Sequence, residues 1–374
     1  MKKVVFLALS VLLLASCGKK KVQLIDAANF TKEVEGKQVS LYTLHNADLT
    51  MQVTNYGGRV VALWTPDRKG NYEDVTLGYD HIDKYLNNTG ERYLGAVVGR
   101  FANRIAGGTF TLDSVTCQLP QNDGENTLHG GELGTDRVVW DVVSATDSEI
   151  VMHVVLPDGQ DGFPGNLDIT MTYSLTPDNA FRIDYEATTD KTTLCNLSHH
   201  SFFNLQGEGH SVLGHELEIR GLWVLPVDKE LIPLGGFKAV KDTPFDFTES
   251  HAIGDRIGEN DEQLNNGHGY DHTWIITSNL DGTTVHCATL FDPVTGRKME
   301  VLSDQMGMQF YNGNFFNGEA QGKYGKHLFR GAVALETQKF PDAIHQENFS
   351  DKAILRPGEV YKHTCIYKFS TARK

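Results

Sequence analysis

Positive charge is scarce in this chain of 374 residues. Lysine and arginine together number 34 against 48 aspartates and glutamates, so the formal net charge is -14. Nucleic acid and anionic membrane surfaces both attract clustered lysine and arginine, and the one such cluster that stands out is Lys19 to Lys21. The composition therefore argues against nucleic acid as a partner.

Cysteine is also scarce, with five residues in the whole chain. Four of them are far apart and show no CxxC spacing, which argues against a zinc knuckle. An extracytoplasmic location would permit disulfides, but a chain of this length can build a core without them. The sequence leaves open the pairing of these four residues, which are Cys117, Cys195, Cys287 and Cys365.

The first residues show the pattern of an export signal. Lys2 and Lys3 precede an apolar run, Val4 to Leu14, which is too short for an ordinary transmembrane helix. The following Leu-Ala-Ser-Cys, ending at Cys17, resembles a bacterial lipobox, whose cysteine is lipidated. We therefore interpret residues 1–17 as a lipoprotein signal peptide and 18–24 as a tether. This predicts a bacterial cell-envelope protein, lipid-anchored and either facing the periplasm or in the outer membrane. The alternative is an ordinary secretory signal with an incidental cysteine.

Helix signals are few, and strand signals are many. Leu167 to Leu175 and Phe181 to Ala187 alternate apolar and polar residues, and the intervening Thr-Pro-Asp-Asn-Ala is a turn sequence, so we predict a hairpin. No repeat or change in composition divides the chain. Residues 25–374 are therefore predicted to form one large, all-β antiparallel sandwich. The further predicted elements are strands over Thr109 to Leu119, Glu149 to Leu156 and His215 to Val224, and one short helix over Ile82 to Asn87.

Two adjacent histidines, His199 and His200, begin a segment that is rich in polar and aromatic residues. Because side chains alternate along a strand, at most one of the two faces any given pocket. The alternation alone does not choose between the face that carries His199, Ser201 and Phe203 and the face that carries His200.

Glu336 is predicted to lie where an apolar strand, Ala332 to Leu335, ends, and it shares a face with two small residues. A carboxylate buried in this way needs a partner or a function. Other polar positions have simpler alternatives: Arg104 as a surface cation, His129 as a turn residue and Asp271 as an Asx-turn.

Six polar segments, in order, resemble motifs of the aldose 1-epimerase (galactose mutarotase) family. A C-terminal Leu-Arg-Pro-Gly-Glu also fits, and the resemblance spans roughly Asn55 to Tyr367. One such motif is weak evidence, whereas six in the same order are specific. The segments are Gly99 to Ile105, Asn126 to Gly131, His200 to Leu205, Gly269 to His272, Gln309 to Asn314 and Leu335 to Ala343.

The resemblance implies a galactose mutarotase-like β-sandwich with a sugar-binding cleft. It identifies His200, the histidine directly before Ser201, as the functional one; His199 stands where the family commonly has Asn, and Phe202 where it commonly has Tyr. Position by position, it maps Glu336 and His200 to catalysis. The implied sugar-binding residues are Arg104, His129, Asp271, Gln309 and, as a weaker candidate, Asn103.

Interconversion of α and β anomers of a free hexose, such as galactose or glucose, needs one acid and one base beside C1. We expect Glu336 to take the C1 hydroxyl proton and His200 to protonate the ring oxygen, while His129 and Arg104 stabilise charge on oxygen. Phe202 or Tyr311 could pack on the apolar side of the sugar. This scheme requires no metal or organic cofactor. The preferred sugar and the oligomeric state stay open.

Four alternatives are less well supported by the sequence. They are a non-catalytic carbohydrate-binding lipoprotein on the same fold; a glycoside hydrolase that uses Asp271 and Glu336; an epimerase of phosphorylated hexoses, which would need the arginines Arg59, Arg100 and Arg104 around phosphate; and a metal site built from His199, His200, His268 and His272.

Overall fold

A computed structural model describes residues 19–87, 90–276, 283–347 and 353–372. The predicted signal peptide and Cys17 lie outside these residues. The described residues contain two α-helices of five residues each, α1 (Ile82–Leu86) and α2 (Glu262–Asn266). Their short 3-10 helices are Ala27–Phe30, Ala106–Gly108, Thr135–Arg137, Gln160–Gly162 and Ala343–His345.

Nearly all the remaining regular structure is strand. In chain order, the strands are β1 (Lys32–Val34), β2 (Lys37–Val39), β3 (Leu41–His45), β4 (Thr50–Thr54), β5 (Arg59–Pro66), β6 (Tyr72–Asp74), β7 (Ala96–Val98), β8 (Arg104–Ile105), β9 (Thr109–Leu112), β10 (Val115–Gln118), β11 (Thr127–Leu128), β12 (Asp141–Ala145), β13 (Glu149–Leu156), β14 (Leu167–Leu175), β15 (Ala180–Thr189), β16 (Thr193–Leu194), β17 (Ser198–His200), β18 (Glu216–Ile219), β19 (Trp223–Val224), β20 (Lys238–Ala239), β21 (His251–Ala252), β22 (Asp271–Ile275), β23 (Val285–Phe291), β24 (Arg297–Ser303), β25 (Gly307–Tyr311), β26 (Ala334–Gln338), β27 (Ile354–Leu355) and β28 (Tyr361–Thr371).

Three sheets dominate the fold. Nine strands form the largest, in the order β12-β13-β14-β15-β28-β24-β23-β18-β21, five form a second, β20-β19-β22-β25-β26, and four form a third, β3-β4-β5-β6. Short two-stranded ribbons, among them β7 with β17 and β8 with β11, connect these sheets. The ladders are antiparallel throughout the described residues. The predicted all-β antiparallel sandwich is confirmed.

The core lies between the nine-stranded sheet and the other two. Strand β14 shows why: Leu167, Ile169, Met171, Tyr173 and Leu175 are buried, while the residues between them are exposed or half-buried. The inward side chains of this sheet pack in one cluster with those of β4, β5, β22, β25 and β26. Each such side chain contributes about 1.5–3 kcal/mol by leaving water, so the alternation fixes which face of each strand points inward.

Strands β22, β25 and β26 of the five-stranded sheet are buried on both faces, and the two faces differ in chemistry. Trp274, Phe310 and Leu335 point into the apolar core. The opposite face carries polar side chains, because Gln309 pairs with Glu336 on one side and with Thr273 on the other, and Asp271 pairs with Tyr311. Residues directly opposite in a ladder share a face. The sheet thus presents a polar surface away from the core, where a cleft is built.

Most of the predicted elements are confirmed. The β14–β15 hairpin pairs Leu175 with Phe181 around the predicted turn, β13 spans Glu149–Leu156, and α1 spans Ile82–Leu86. Thr109 to Leu119 is two strands instead of one, because Asp113 and Ser114 adopt positive φ values of 48° and 65° and reverse the chain.

Two other strand predictions need correction. The segment His215 to Val224 divides into β18 and β19, which lie in different sheets. Glu336 lies in the middle of β26 and not where a strand ends.

The segment interpreted as a tether lies against the fold from Lys20 onward. The Tyr72 N–H donates to the Lys20 carbonyl at 2.8 Å, and the Lys20 N–H donates to the side chain of Asn71. Cys195, Cys287 and Cys365 are buried free thiols, and Cys117 is a half-buried one. No helix in the described part of the chain is long and apolar enough to cross a membrane.

Candidate active site

A cleft lies on the polar face of the five-stranded sheet. Its floor comes from β22, β25 and β26, and its walls come from the β7–β17 ribbon and the loops around β8 and β11. Polar groups and aromatic rings line the cleft together, as is usual for small-molecule sites. The lining residues are Glu91, Tyr93, Asn103, Arg104, Leu128, His129, His200, Asp271, Tyr311, Phe315 and Glu336.

Glu336 and His200 face each other inside this cleft. The distance from His200 Nε2 to Glu336 Oε1 is 3.5 Å, and both side chains are almost completely buried. Among the described residues, His200 Nδ1 and Glu336 Oε2 have no hydrogen-bond partner. Buried polar atoms are normally paired, so an acid–base pair with two open positions indicates a site that a ligand completes.

The turn around His129 brings a second histidine to the same point. His129 has φ = 50°, and Gly130 follows with φ = 88°. A side chain on Gly130 would lie 2.1 Å from the Gly99 carbonyl oxygen, so the close approach requires glycine. The Asn103 N–H donates to His129 Nδ1 at 3.1 Å, which leaves the proton of the neutral ring on Nε2. His129 is thereby oriented as a hydrogen-bond donor.

Burial sets the protonation of these groups. It raises the pKa of Glu336 well above its ordinary value, with the negative charges of Asp271 and Glu91 adding to the effect. Burial lowers the pKa of His200 to about 3, and it holds the pKa of His129 well below its ordinary value. Burial therefore places the proton of the pair on the carboxyl group.

The remaining predicted binding residues lie around this pair. Arg104 donates through Nε to Asp123 at 2.8 Å, and the Asn103 side chain accepts from the Arg104 N–H. Gln309 donates through Nε2 to Asp271 Oδ1 at 2.6 Å. Gln309 thus fixes the position of the Asp271 carboxyl group. Asp271 lines the cleft, whereas Gln309 does not. The structure brings together all seven predicted catalytic and binding residues.

His199 points the opposite way, into the core. Its Nδ1 lies 3.1 Å from the Tyr173 hydroxyl, and its Nε2 lies 2.7 Å from the Ser201 hydroxyl. The Tyr173 hydroxyl donates to the Gly58 carbonyl, so the histidine donates through Nδ1 and accepts at Nε2. Every polar atom of the ring is satisfied. His199 is a core histidine, and the face that carries His200 is the one that meets the cleft.

Phe202 and Tyr311 differ in their access to the cleft. Phe202 is fully buried behind the ring of His200, with ring centroids 4.7 Å apart, so it does not offer a face to a sugar. Tyr311 does line the cleft. Phe315, four residues further along the chain, also lines it and has 54% of its surface exposed.

Two of the three arginines considered for phosphate are committed elsewhere. Arg59 is 1% exposed and donates to the carbonyls of Arg92, Leu94 and Asp136. Arg100 is buried and donates to the carbonyls of Pro164, Gly165 and Leu156 and to the Thr193 hydroxyl. Only Arg104 of the three reaches the cleft, so the site lacks the arginine cluster that a phosphate would need.

The predicted histidine cluster for a metal does not form. His199 lies in the core, His268 lies on an exposed loop, and His272 is buried on the core face beside Phe245. Within the described ranges, the group that does meet the spacing of a metal site is His129, His200 and Glu336, whose ligand atoms lie within 4.8 Å of one another. These are the same three groups that form the acid–base cluster.

Three residues that line the cleft were not predicted from the sequence. Glu91 adds a third carboxylate to the cleft. The rings of Tyr93, His129 and His200 pack as a cluster: the Tyr93 centroid lies 4.5 Å from His129 and 5.9 Å from His200, and the two histidine centroids are 5.1 Å apart. Glu91 and Tyr93 precede the motif that begins at Gly99. Their position just before this motif is the sequence signal that could have identified them. Phe315 directly follows the motif Gln309 to Asn314.

The fold and the cleft define a class: a β-sandwich with a buried acid–base pair in a polar cleft that aromatic rings border. The sequence profile of the family described as aldose 1-epimerase matches residues 40–368. Galactose mutarotase from Bos taurus is 38% identical over 339 residues, which cover 89% of this chain and 95% of the relative. Aldose 1-epimerase from Escherichia coli is 34% identical and covers 90% and 96%.

Solved structures agree with these sequence matches. An aldose epimerase homologue from C. elegans superimposes with a TM-score of 0.82 at 28% identity, covering 90% of this chain and all of that one. Galactose 1-epimerase from Lactobacillus acidophilus gives a TM-score of 0.79 at 29% identity, covering 91% and 97%. The chain belongs to the aldose 1-epimerase family.

Proposed function

We propose that this chain is an aldose 1-epimerase, an isomerase that interconverts the α and β anomers of free hexoses such as galactose and glucose. The observation that carries the proposal is the buried pair His200–Glu336, 3.5 Å apart, with one open polar position on each side chain. A sugar whose anomeric edge lies against this pair would have the base at its C1 hydroxyl and the acid at its ring oxygen, as ring opening requires.

The reaction needs no net change in protonation. Glu336 accepts the proton of the C1 hydroxyl, C1 and that oxygen become a carbonyl group, and the bond from C1 to the ring oxygen breaks. His200 supplies a proton to the ring oxygen as this bond breaks. The aldehyde then rotates, and the reverse transfers close the ring on its other face. Each group is thereby restored to its starting state.

The protonation that burial favours and the protonation that the reaction requires differ in where one proton resides. Burial favours a protonated Glu336 and a neutral His200, whereas the reaction begins from a carboxylate and an imidazolium. Both forms have zero net charge, so the exchange moves one proton over the short gap between them. A sugar favours the charged form, because its hydroxyl donates to the carboxylate and its ring oxygen accepts from the imidazolium.

The surrounding residues have binding roles in this proposal. His129 donates through Nε2 toward the sugar oxygens, and Arg104 adds positive charge where oxygen becomes negative. Asp271 accepts from sugar hydroxyls at the other end of the cleft and is held there by Gln309. Asn103 positions His129 and Arg104, because its N–H donates to His129 Nδ1 and its side chain accepts from the Arg104 N–H.

We also propose that the chain is a lipoprotein of the bacterial cell envelope, anchored through Cys17. The support is the sequence: two lysines, an apolar run and Leu-Ala-Ser-Cys in that order. Mass spectrometry of the mature N-terminus from a bacterial host should find a lipid-modified Cys17, and a Cys17→Ser variant should not carry the lipid. An unmodified N-terminus beyond Cys17 would contradict the anchor but leave the enzymatic proposal untouched.

Polarimetry on freshly dissolved α-D-galactose and α-D-glucose tests the activity. The protein should speed the approach to anomeric equilibrium well above the buffer rate, in proportion to its concentration. The ratio of the two rates then gives the sugar preference. Rates equal to buffer for both sugars would contradict the enzymatic proposal, and the protein would then be tested for sugar binding by calorimetry.

A further inference from the structure

Two hairpin turns from different sheets meet at one end of the sandwich. One joins β5 to β6 in the four-stranded sheet, and the other joins β23 to β24 in the nine-stranded sheet. The Arg68 N–H donates to the Thr295 carbonyl at 3.1 Å, and the Arg68 guanidinium donates to the Pro293 carbonyl at 2.7 Å. These bonds hold the two turns side by side.

The N-terminal segment lies across the first of these turns. The Tyr72 N–H donates to the Lys20 carbonyl at 2.8 Å, and the Lys20 ammonium group forms an ion pair with Glu73. The side chain of Lys19 covers Gly70, where a Cβ atom would lie 2.9 Å from Lys19 Nζ. The chain from Lys19 onward is therefore part of the folded surface.

This end of the molecule is positively charged, although the chain as a whole has a net charge of -14. The stretches 19–21 and 67–73 carry five lysine and arginine side chains but two carboxylates. Of the five cations, Lys20 is the one that forms an ion pair within the described ranges. Val294, in the second turn, adds an apolar side chain that is 73% exposed. We call this surface the anchor end, and its defining side chains are Lys19, Lys21, Arg68, Lys69 and Val294.

The position of Cys17 in the sequence brings the anchor end to a membrane. In the proposed lipoprotein, Cys17 carries the lipid, and Gly18 alone stands between it and Lys19. Two residues of chain span at most about 7 Å. Because the fold holds Lys19 and Lys20, acyl chains inserted in a bilayer keep the anchor end beside the lipid headgroups.

We infer that the anchor end is a docking surface for a bilayer that contains anionic phospholipid, so that the protein stands on the membrane in a fixed orientation. Lysine and arginine side chains attract anionic headgroups. A lipid chain joined to a basic patch anchors a protein more firmly than either does alone. The inference rests on the proposed lipoprotein, because Cys17 supplies the point of attachment.

The experiment places one reporter at each end of the sandwich. Val294→Trp reports on the anchor end, and Val360→Trp is the matched control, since Val360 is also exposed, at 54%. Val360 comes directly before β28, and the last residue of β28, Thr371, pairs with Arg297 near the anchor end. The eleven residues of β28, at about 3.4 Å each, separate the two reporters by roughly 30 Å.

The mature lipidated protein is reconstituted in vesicles of phosphatidylethanolamine with about a quarter phosphatidylglycerol. Fluorescence is measured with and without phospholipid that carries bromine on its acyl chains, which quenches nearby tryptophan, and the wild-type signal is subtracted. We expect the Val294→Trp signal to fall by about twofold or more, because tryptophan at this position enters the membrane interface. The Val360→Trp signal should stay unchanged.

A charge reversal tests the role of the lysines. Lys21→Glu and Lys69→Glu, added together to Val294→Trp, should remove about half of the quenching or more, and so should phosphatidylcholine in place of phosphatidylglycerol. Mutarotation by the same samples reports on folding and should be unchanged, since none of these positions lines the cleft. Quenching at Val294→Trp that neither change reduces would show that the surface does not recognise anionic lipid.

Equal quenching of the two reporters, or stronger quenching of Val360→Trp, would overturn the docking surface. If mass spectrometry finds no lipid on Cys17, the proposed anchor has failed instead. The two reporter variants of the unlipidated mature protein are then mixed with the same vesicles at low salt. Quenching confined to Val294→Trp supports the docking surface, and its absence overturns it.

Discussion

His199 and His200 are neighbours in the chain but belong to two different regions of the molecule. Both are buried, and burial lowers the pKa of each to about 3. His199 satisfies both ring nitrogens with the hydroxyls of Tyr173 and Ser201. His200 faces a carboxyl group with one nitrogen and has no described partner for the other. The comparison teaches that a perturbed pKa does not separate a core histidine from a catalytic one, whereas the hydrogen-bond partners do.

The sharpest way to test the comparison is to remove the partner of His200. Glu336→Gln keeps the shape of the side chain but cannot accept the C1 proton. We expect kcat for α-D-galactose to fall by about 10²–10⁴-fold, the usual contribution of a general base, with little change in KM. Polarimetry measures both constants. A loss of less than fivefold would mean that another group, such as Glu91, is the base.

Removal of His199 should affect stability instead of chemistry. His199→Ala deletes two buried hydrogen bonds and leaves a cavity among Tyr173, Phe181 and Tyr367. We expect the free energy of unfolding to fall by about 2–4 kcal/mol. Urea titration followed by fluorescence measures this, with His200→Ala as the control that should cost much less. Equal losses from the two variants would show that the two histidines are not divided between core and site.

Arg100 and Arg104 extend the same comparison to one motif. Arg100 donates only to structural carbonyls and a hydroxyl, whereas Arg104 reaches the cleft. We expect Arg104→Ala to raise KM by about tenfold or more, through loss of a charged hydrogen bond to the sugar. Arg100→Ala should instead lower the unfolding midpoint, with the KM of the remaining folded protein unchanged. The reverse pattern would contradict the assignment of Arg104 to the sugar.

The pH dependence of the free energy of unfolding should also distinguish the active site from the core, but by a smaller effect. Because the folded pKa of Glu336 is raised, the unfolded state ionises first as pH rises above about 4.3, and folding loses stability there. Glu336→Gln should therefore stabilise the protein by about 0.5–2 kcal/mol at pH 8 and by almost nothing at pH 4. Thermal unfolding at the two pH values measures this. A gain that is equal at both would show that ionisation is not its cause.

His199 and His200 affect the pH dependence of stability with the opposite sign to Glu336. Their folded pKa values of about 3 lie below the unfolded value of about 6.5, so their contribution is full above pH 6.5 and is lost as pH falls toward 3. His199→Phe, which cannot gain a proton, should reduce the acid sensitivity of unfolding between these values. An unchanged acid transition would mean that other groups dominate it.

Strand alternation predicted the β14–β15 hairpin and the sandwich, because side chains that leave water fix the faces of each strand. Alternation also divided His199 from His200, but it could not say which face meets the cleft, since that depends on sheets that pack from distant parts of the chain. The family resemblance supplied that choice. The division of Thr109 to Leu119 was missed although Asp113 and Ser114 are residue types that turns favour, because the apolar and polar residues on either side of this pair alternate as one strand would.

Local sequence patterns did not identify the site residues that long-range packing brings into the cleft. Glu91 and Tyr93 enter the cleft because β7 pairs with β17, far along the chain, and no motif marks them. Arg59 and Arg100 look like candidates for an anion in the sequence, yet the structure uses them to bind carbonyls. Partners of this kind are visible only once the fold has brought them together.

His200, and not His199, carries the chemistry with Glu336 in the proposed function. The most direct test is the mutarotation rate of α-D-galactose with His199→Asn and His200→Asn, each measured per mole of protein shown to be folded by circular dichroism. We predict that His200→Asn loses at least 100-fold in kcat, while folded His199→Asn stays within a few-fold of wild type. A His200→Asn variant with near wild-type kcat, or a folded His199→Asn variant without activity, would contradict the account.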